Sequence, residues 1–137
     1  MVVVFDTNVL LVSIARKSIY RPIFDALLIG KFSLVISNEI MSEYVEIIEQ
    51  RSNAMVANNI AEMLLSLENL QKVEIFYDWR LINNDPDDDK FVNAAMVGKA
   101  DYIVSNDKHF KVLESIEFPK VQVLDIDTFL EMVLTWS

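Results

Sequence analysis

The chain has 137 residues, of which 53% are hydrophobic and 24% charged, with two glycines and three prolines. This is the size of one ordinary domain with enough apolar side chains for a core, and the balance excludes a disordered chain. Zero cysteines exclude disulfides and thiolate metal sites, and a single histidine, His109, argues against a histidine-built zinc centre or a Ser-His-Asp triad.

No stretch approaches the roughly 18 uncharged apolar residues of a membrane-spanning helix. The opening MVVVFDTN lacks a basic flank and reaches an acid at position 6, so it does not read as a secretory signal. A reducing, cytoplasmic location fits the missing cysteines. The formal net charge of −9 is unfavourable for a protein that meets phosphates, so its location along the chain matters more than its sum.

Val2-Val3-Val4-Phe5 is a short β-branched run and predicts a buried strand, with a helix over 9–16 after it. Residues 20–30 predict a second helix, with Pro22 near its start and Gly30 just past its end. Ser33–Ile36 is a second strand. Ser37 and Asn38 are cap candidates for a helix over 39–51, and residues 53–70 carry a long helical pattern. A third strand is predicted over Val73–Phe76, and Asn83–Asp87 has strong turn chemistry. A helix over 88–98 stops at Gly98. A fourth strand covers Tyr102–Val104, a short helix Lys108–Glu114, a fifth strand Val121–Leu124, and a last helix Thr128–Leu134.

Apolar strands without clean alternation, each followed by a helix, predict a parallel sheet covered on both faces. In such sheets ligands bind beyond the carboxyl ends of the strands, which draws notice to acids placed there. Asp6 directly follows the first strand, and Asp107 follows the fourth in Val104-Ser105-Asn106-Asp107. Glu43 lies at the margin of the apolar stripe Ile40, Tyr44, Ile47 and Ile48. Asp88 shares its helical face with Phe91, Val92 and Ala95, so its carboxylate points toward the core side. Each also has a plain structural reading. Asp6 and Asp107 suit N-caps, Asp88 suits a helix start, and Glu43 suits a solvated acid beside a core face. Taken together, four clustered carboxylates repel one another unless a cation neutralises them. Hard oxygen donors without His or Cys select Mg²⁺ or Mn²⁺, and such sites activate water for displacement at phosphorus.

The residues that carry these acids resemble the PIN-domain family, which includes VapC-like toxins and related toxin-antitoxin nucleases. V-V-V-F-D-T-N-V-L is similar to the family's opening strand and first acid, at Asp6. S-N-E-I-M-S-E-Y-V-E-I-I is similar to the helix that holds its glutamate, at Glu43. D-P-D-D-D-K-F-V-N-A-A-M-V-G-K-A-D-Y-I-V-S-N-D is similar to the segment with its third and fourth acids, at Asp88 and Asp107. The likeness runs to about Leu113, and Ser105-Asn106-Asp107 stands where the family commonly has Thr-Gly-Asp.

The resemblance implies a single domain over 1–137, an α/β fold in three layers (α/β/α) around a parallel sheet of about five strands. It implies a metal-dependent endoribonuclease with RNA as substrate, Mg²⁺ or Mn²⁺ held by Asp6, Glu43, Asp88 and Asp107, and Asn8 and Ser105 orienting those carboxylates. For the toxin branch it adds an antitoxin partner and a homodimer. The run of acids leaves Asp89 as the alternative to Asp88. The count of ten residues to Gly98 and the helical face both favour Asp88. Arg16, Lys17, Arg21, Lys108 and Lys111 are the cations available to phosphates, and Tyr20 and Trp79 the aromatics available to bases. Two other readings stay open: a PIN-like binding module without catalysis, and an α/β domain of the receiver or phosphatase type, since receivers and phosphatases both place acids after the first strand.

Overall fold

β-branched and aromatic residues stack into the centre of the sheet. The computed structural model of the chain describes residues 1–76, 89–115 and 121–136. The strands are β1 (Val2–Phe5), β2 (Ser33–Ile36), β3 (Leu70–Lys72), β4 (Tyr102–Val104) and β5 (Val123–Leu124). The helices are α1 (Thr7–Ile14), α2 (Arg21–Leu28), α3 (Asn38–Arg51), α4 (Ala54–Leu65), α5 (Asp89–Val97) and α6 (Ile126–Thr135), with a 3-10 helix over Lys108–Ser115.

The five strands form one sheet in the order β3-β2-β1-β4-β5, with every pairing parallel. Together with the covering helices this is the three-layer α/β/α architecture expected from the sequence. Val3, Val4 and Phe5 of β1, Leu34, Val35 and Ile36 of β2, and Ile103 and Val104 of β4 are buried, as strands covered on both faces must be. Helix α5 packs across β1, β2 and β4, and α2 packs against α1 and α6. Phe5 and Phe32 meet Phe129 of α6 edge-on, at 5.9 and 5.2 Å, which fixes α6 to the sheet.

Local chemistry explains the boundaries. Pro22 stands in the first turn of α2, and Gly30 closes that helix at φ 82°, a left-handed conformation that glycine adopts without strain. Ser37 caps α3 by accepting from the Ile40 N–H. Gly98 ends α5 for a different reason, since a Cβ there would meet Val35 Cγ2 at 2.7 Å; the left-handed residue is Lys99, at φ 52°.

The third strand differs from the sequence expectation. It runs over Leu70–Lys72 instead of Val73–Phe76, because β2, its partner among the described residues, ends at Ile36. The Val73 N–H reaches Ile36 O at 2.9 Å and the ladder stops there, leaving Phe76 87% exposed. The fifth strand is likewise shorter than Val121–Leu124, since it pairs only with Ile103 and Val104 at the end of β4. Asn83–Asp87, Asp88 and Trp79 lie outside the described residues.

Candidate active site at the carboxyl edge of the sheet

From β1 the chain builds outward through β2 and β3, then returns to the other side of β1 with β4 and β5. The winding therefore reverses between β1 and β4, and the crevice beyond their carboxyl ends is where a ligand has room in such a sheet. Asp6 leaves β1 and Ser105-Asn106-Asp107 leaves β4 at this crevice. The two exits are tied by the Asp6 N–H, which donates to Val104 O at 3.1 Å.

Asp6 is only 8% exposed, and its carboxylate makes no side-chain cap hydrogen bond to α1. Its Oδ2 accepts from the Ser105 hydroxyl at 2.7 Å instead. Burial raises its pKa above the ordinary carboxyl value. The Ser105 bond and the nearby Asn8 N–H oppose that shift, while the charges of Asp107 and Glu43 reinforce it. Asp6 is thus a buried acid facing two further acids, held by neutral donors.

Asp107 is tied to Asp6 through one atom, because Ser105 Oγ also accepts the Asp107 N–H at 3.0 Å. Its Oδ1 accepts from the His109 N–H at 2.9 Å and lies 3.3 Å from His109 Nδ1. The cap role that the sequence offered is realised here, at the start of the 3-10 helix, through one of the two carboxylate oxygens.

Glu43 stands where its periodicity put it, beside the buried Ile40, Tyr44 and Ile48. One oxygen is 3.0 Å from the Lys90 ammonium at the head of α5, and the other accepts from the Thr7 hydroxyl just after β1. Beneath it the Tyr44 hydroxyl, fully enclosed, donates to Phe5 O at 2.6 Å. Burial, then the charges of Asp6 and Glu43, push the Tyr44 phenol well above its ordinary pKa. Tyr44 is therefore a strut, and no proton leaves it at working pH.

Asp88 lies outside the described residues. Asp89, the alternative register, is the first residue of α5 and only 7% exposed, and Asn93 one turn on is buried with it. Ser105 donates to Asp6, whereas Asn8 is an exposed residue of the cleft rim. Sequence reasoning missed Thr7 and Lys90 as partners of Glu43. Each adjoins an acid in sequence, but nothing in their spacing says that they meet α3.

An open cleft of about 300 Å³ lies at this edge. Asp6, Asn8, Asn106 and Asp107 supply its polar lining, and Val9, Val12, Tyr20 and Ile126 its apolar lining. A neighbouring hollow of about 350 Å³ places Lys108 and Lys111 beside Asp107, Asp125 and Asp127. Arg21 is committed elsewhere, to Asp25 at 2.8 Å and to Ile14 O at 2.6 Å.

The donors present are hard carboxylate oxygens, and the negative charge gathered around the buried Asp6 is what a divalent cation relieves. The donor chemistry therefore fits Mg²⁺ or Mn²⁺. Among the described residues, however, no three His, Asp or Glu side chains are grouped tightly enough to hold a metal ion, and both Glu43 oxygens are engaged.

No curated protein matches the chain. A solved structure, that of VapBC2 from Rickettsia felis bound to a DNA fragment from its promoter, is similar in fold at a TM-score of 0.62. The match covers 91% of this chain and 98% of the other, at 16% sequence identity. A family model described as the PIN domain matches residues 2–109, from the start of β1 to just past Asp107. That span takes in the crevice, the helix of Glu43 and the whole of α5, and on it the chain belongs to the PIN-domain family.

Proposed function

We propose that the chain is a metal-dependent endoribonuclease, a hydrolase of RNA phosphodiester bonds, that uses Mg²⁺ or Mn²⁺ held by Asp6, Glu43, Asp107 and the acid at the head of α5. The observation that carries this reading is Asp6: a carboxylate buried at the β1–β4 crevice, under the like charges of Asp107 and Glu43. For the α5 acid we propose Asp88, with Asp89, buried at the first position of α5, as the alternative.

A bound divalent ion supplies Lewis-acid activation of water and neutralises charge building on the phosphoryl oxygens. The chain's own residues do the positioning. Ser105 aims the Asp6 carboxylate and, through the Asp107 N–H, fixes the loop that carries the fourth acid. Thr7 holds Glu43 from one side. Lys90 holds it from the other and balances its charge when no metal does. Asn8 stands at the rim as a further orienting group. Lys108 and Lys111, in the hollow next to Asp107, meet the RNA phosphates. The likeness to VapBC2 supports an antitoxin as protein partner and with it a toxin role, the family expectation of a homodimer goes with it, and the missing cysteines fit a cytoplasmic location.

A second reading, a PIN-like binding module without catalysis, is favoured by one observation. Glu43 already has a cation, Lys90, and a hydroxyl on its two oxygens. Incubation of a mixed pool of single-stranded and structured RNA with the purified chain separates the two. The nuclease reading predicts cleavage with Mg²⁺ or Mn²⁺ that stops with EDTA and is lost in Asp6→Asn and Asp107→Asn chains that remain folded. Cleavage that persists in Asp6→Asn would sink the assignment of the acids. Absence of cleavage with either metal would leave the binding module.

A further inference from the structure

Resting on the nuclease reading, we infer that the Tyr20 side of the cleft is a nucleobase subsite, which receives an unpaired base of single-stranded RNA next to the phosphate held at the acids. Tyr20 sits at the start of α2, and its hydroxyl donates to Asp127 Oδ1 on α6 at 2.8 Å. That bond, with burial adding less, holds the phenol above its ordinary pKa, so the hydroxyl stays a donor. Helix α6 is fixed in turn. Asp125 caps it by accepting the Thr128 N–H at 2.7 Å, and Asn106 Oδ1 accepts the Ile126 N–H at 2.9 Å from the loop that bears Asp107. The ring is therefore tied, through α6, to the same loop as the fourth acid.

The rest of the lining decides what can sit there. Val9 and Val12 follow Asp6 along α1 at a spacing of three residues, so the cleft passes from carboxylates to apolar side chains along one helix. An apolar wall with an aromatic ring offers nothing to replace the hydration of a phosphate, but it accepts a flat base, whose face can stack on the ring whichever base it is. Asn106 has its carbonyl oxygen committed to Ile126, which leaves its amide N–H groups and the Asn8 side chain at the rim to meet base edges. A base can enter only after leaving its own stack, so loops and single strands are substrates and continuous duplex is not.

The test uses a single-stranded RNA dodecamer of mixed sequence and a set in which one abasic nucleotide is moved along it. Affinities are measured by fluorescence anisotropy with Ca²⁺, alongside cleavage with Mg²⁺. With the wild-type chain one abasic position should weaken binding at least about fivefold, the lower end of base stacking on an aromatic side chain. Tyr20→Ala should bind intact RNA more weakly by the same factor and lose all sensitivity to that abasic position. Tyr20→Leu, which keeps apolar volume, should behave like Tyr20→Ala and carries the test if the smaller side chain unfolds the chain. Tyr20→Phe should keep most of the affinity. Equal affinity of wild type and Tyr20→Leu for intact RNA, with cleavage intact, would overturn the subsite and leave the nuclease reading standing. Neither binding nor cleavage by the wild type would overturn both.

Discussion

Asp6 and Glu43 flank the same end of β1 and share the same chemistry, yet their surroundings are opposite. Asp6 is held away from ionisation by its burial and by the like charges of Asp107 and Glu43, against the opposing hydrogen bonds from neutral donors. Glu43, with its side chain 27% exposed, is balanced by an ammonium and a hydroxyl. Under the proposed function, the difference means that one acid of the pair waits for a cation, whereas the other is provided with one by the chain itself. A buried ion pair adds little net stability, but breaking it by removing one partner is costly. The two acids should therefore respond differently to removal of charge, even where their removal has the same effect on catalysis.

The largest effect expected is on cleavage. Asp6→Asn and Glu43→Gln should both reduce RNA cleavage to background, measured as initial rates with Mg²⁺. Their melting temperatures without metal should move in opposite directions. Asp6→Asn removes a disfavoured buried charge and raises it, and Glu43→Gln removes the carboxylate 3.0 Å from the Lys90 ammonium and lowers it. Equal shifts of the same sign would break the comparison.

Ser105→Ala comes next. Loss of an orienting hydrogen bond to a metal-holding acid costs roughly 10–100-fold in activity or metal affinity. Without its Ser105 donor the Asp6 carboxyl should titrate at still higher pH, which follows directly by NMR of the side-chain carboxyl carbon. Lys90→Met should act more gently and with a sign of its own. The metal-free chain loses about 1 kcal/mol, because the pair is only partly buried. Mn²⁺, no longer competing with the ammonium at Glu43, then raises the melting temperature of Lys90→Met more than that of the wild type. An equal rise in both would mean that Lys90 does not compete with the metal.

The smallest effect is the pH dependence of stability. Because the folded pKa of Asp6 is raised, its favourable contribution is complete below the ordinary carboxyl value and is lost as pH rises through the folded pKa. The stability advantage of Asp6→Asn over the wild type should thus be present at pH 7 without metal and vanish in acid below the ordinary carboxyl range. Thermal melts across pH check it, and an advantage that grew toward acid would reverse the sign assigned to Asp6.

Much of this was legible in the sequence because it depends on local signals. β-branched runs gave β2 and β4 with their observed boundaries, and the alternation of strands and helices gave the parallel sheet. Asp6 and Asp107 could be located because an acid directly after a strand lies at the sheet edge whatever the detailed packing. The third strand was misplaced because its extent is set by where β2 ends, a non-local limit that Val73–Phe76 does not reveal. Lys90 and Thr7 stayed hidden as partners of Glu43 for the same reason, since they reach it only once α3, α5 and β1 have packed. Gly98 was read correctly as a stop but for its close approach to Val35, which no local pattern encodes.

The most direct test of the central claim is a crystal structure grown with Mn²⁺ and measured at the manganese absorption edge. An anomalous peak is expected at the β1–β4 crevice between Asp6 and Asp107, with Glu43 released from Lys90 toward it and the acid at the head of α5 identified as Asp88 or Asp89. Well-ordered crevice carboxylates with no peak among them at millimolar Mn²⁺, and Glu43 still paired with Lys90, would contradict it.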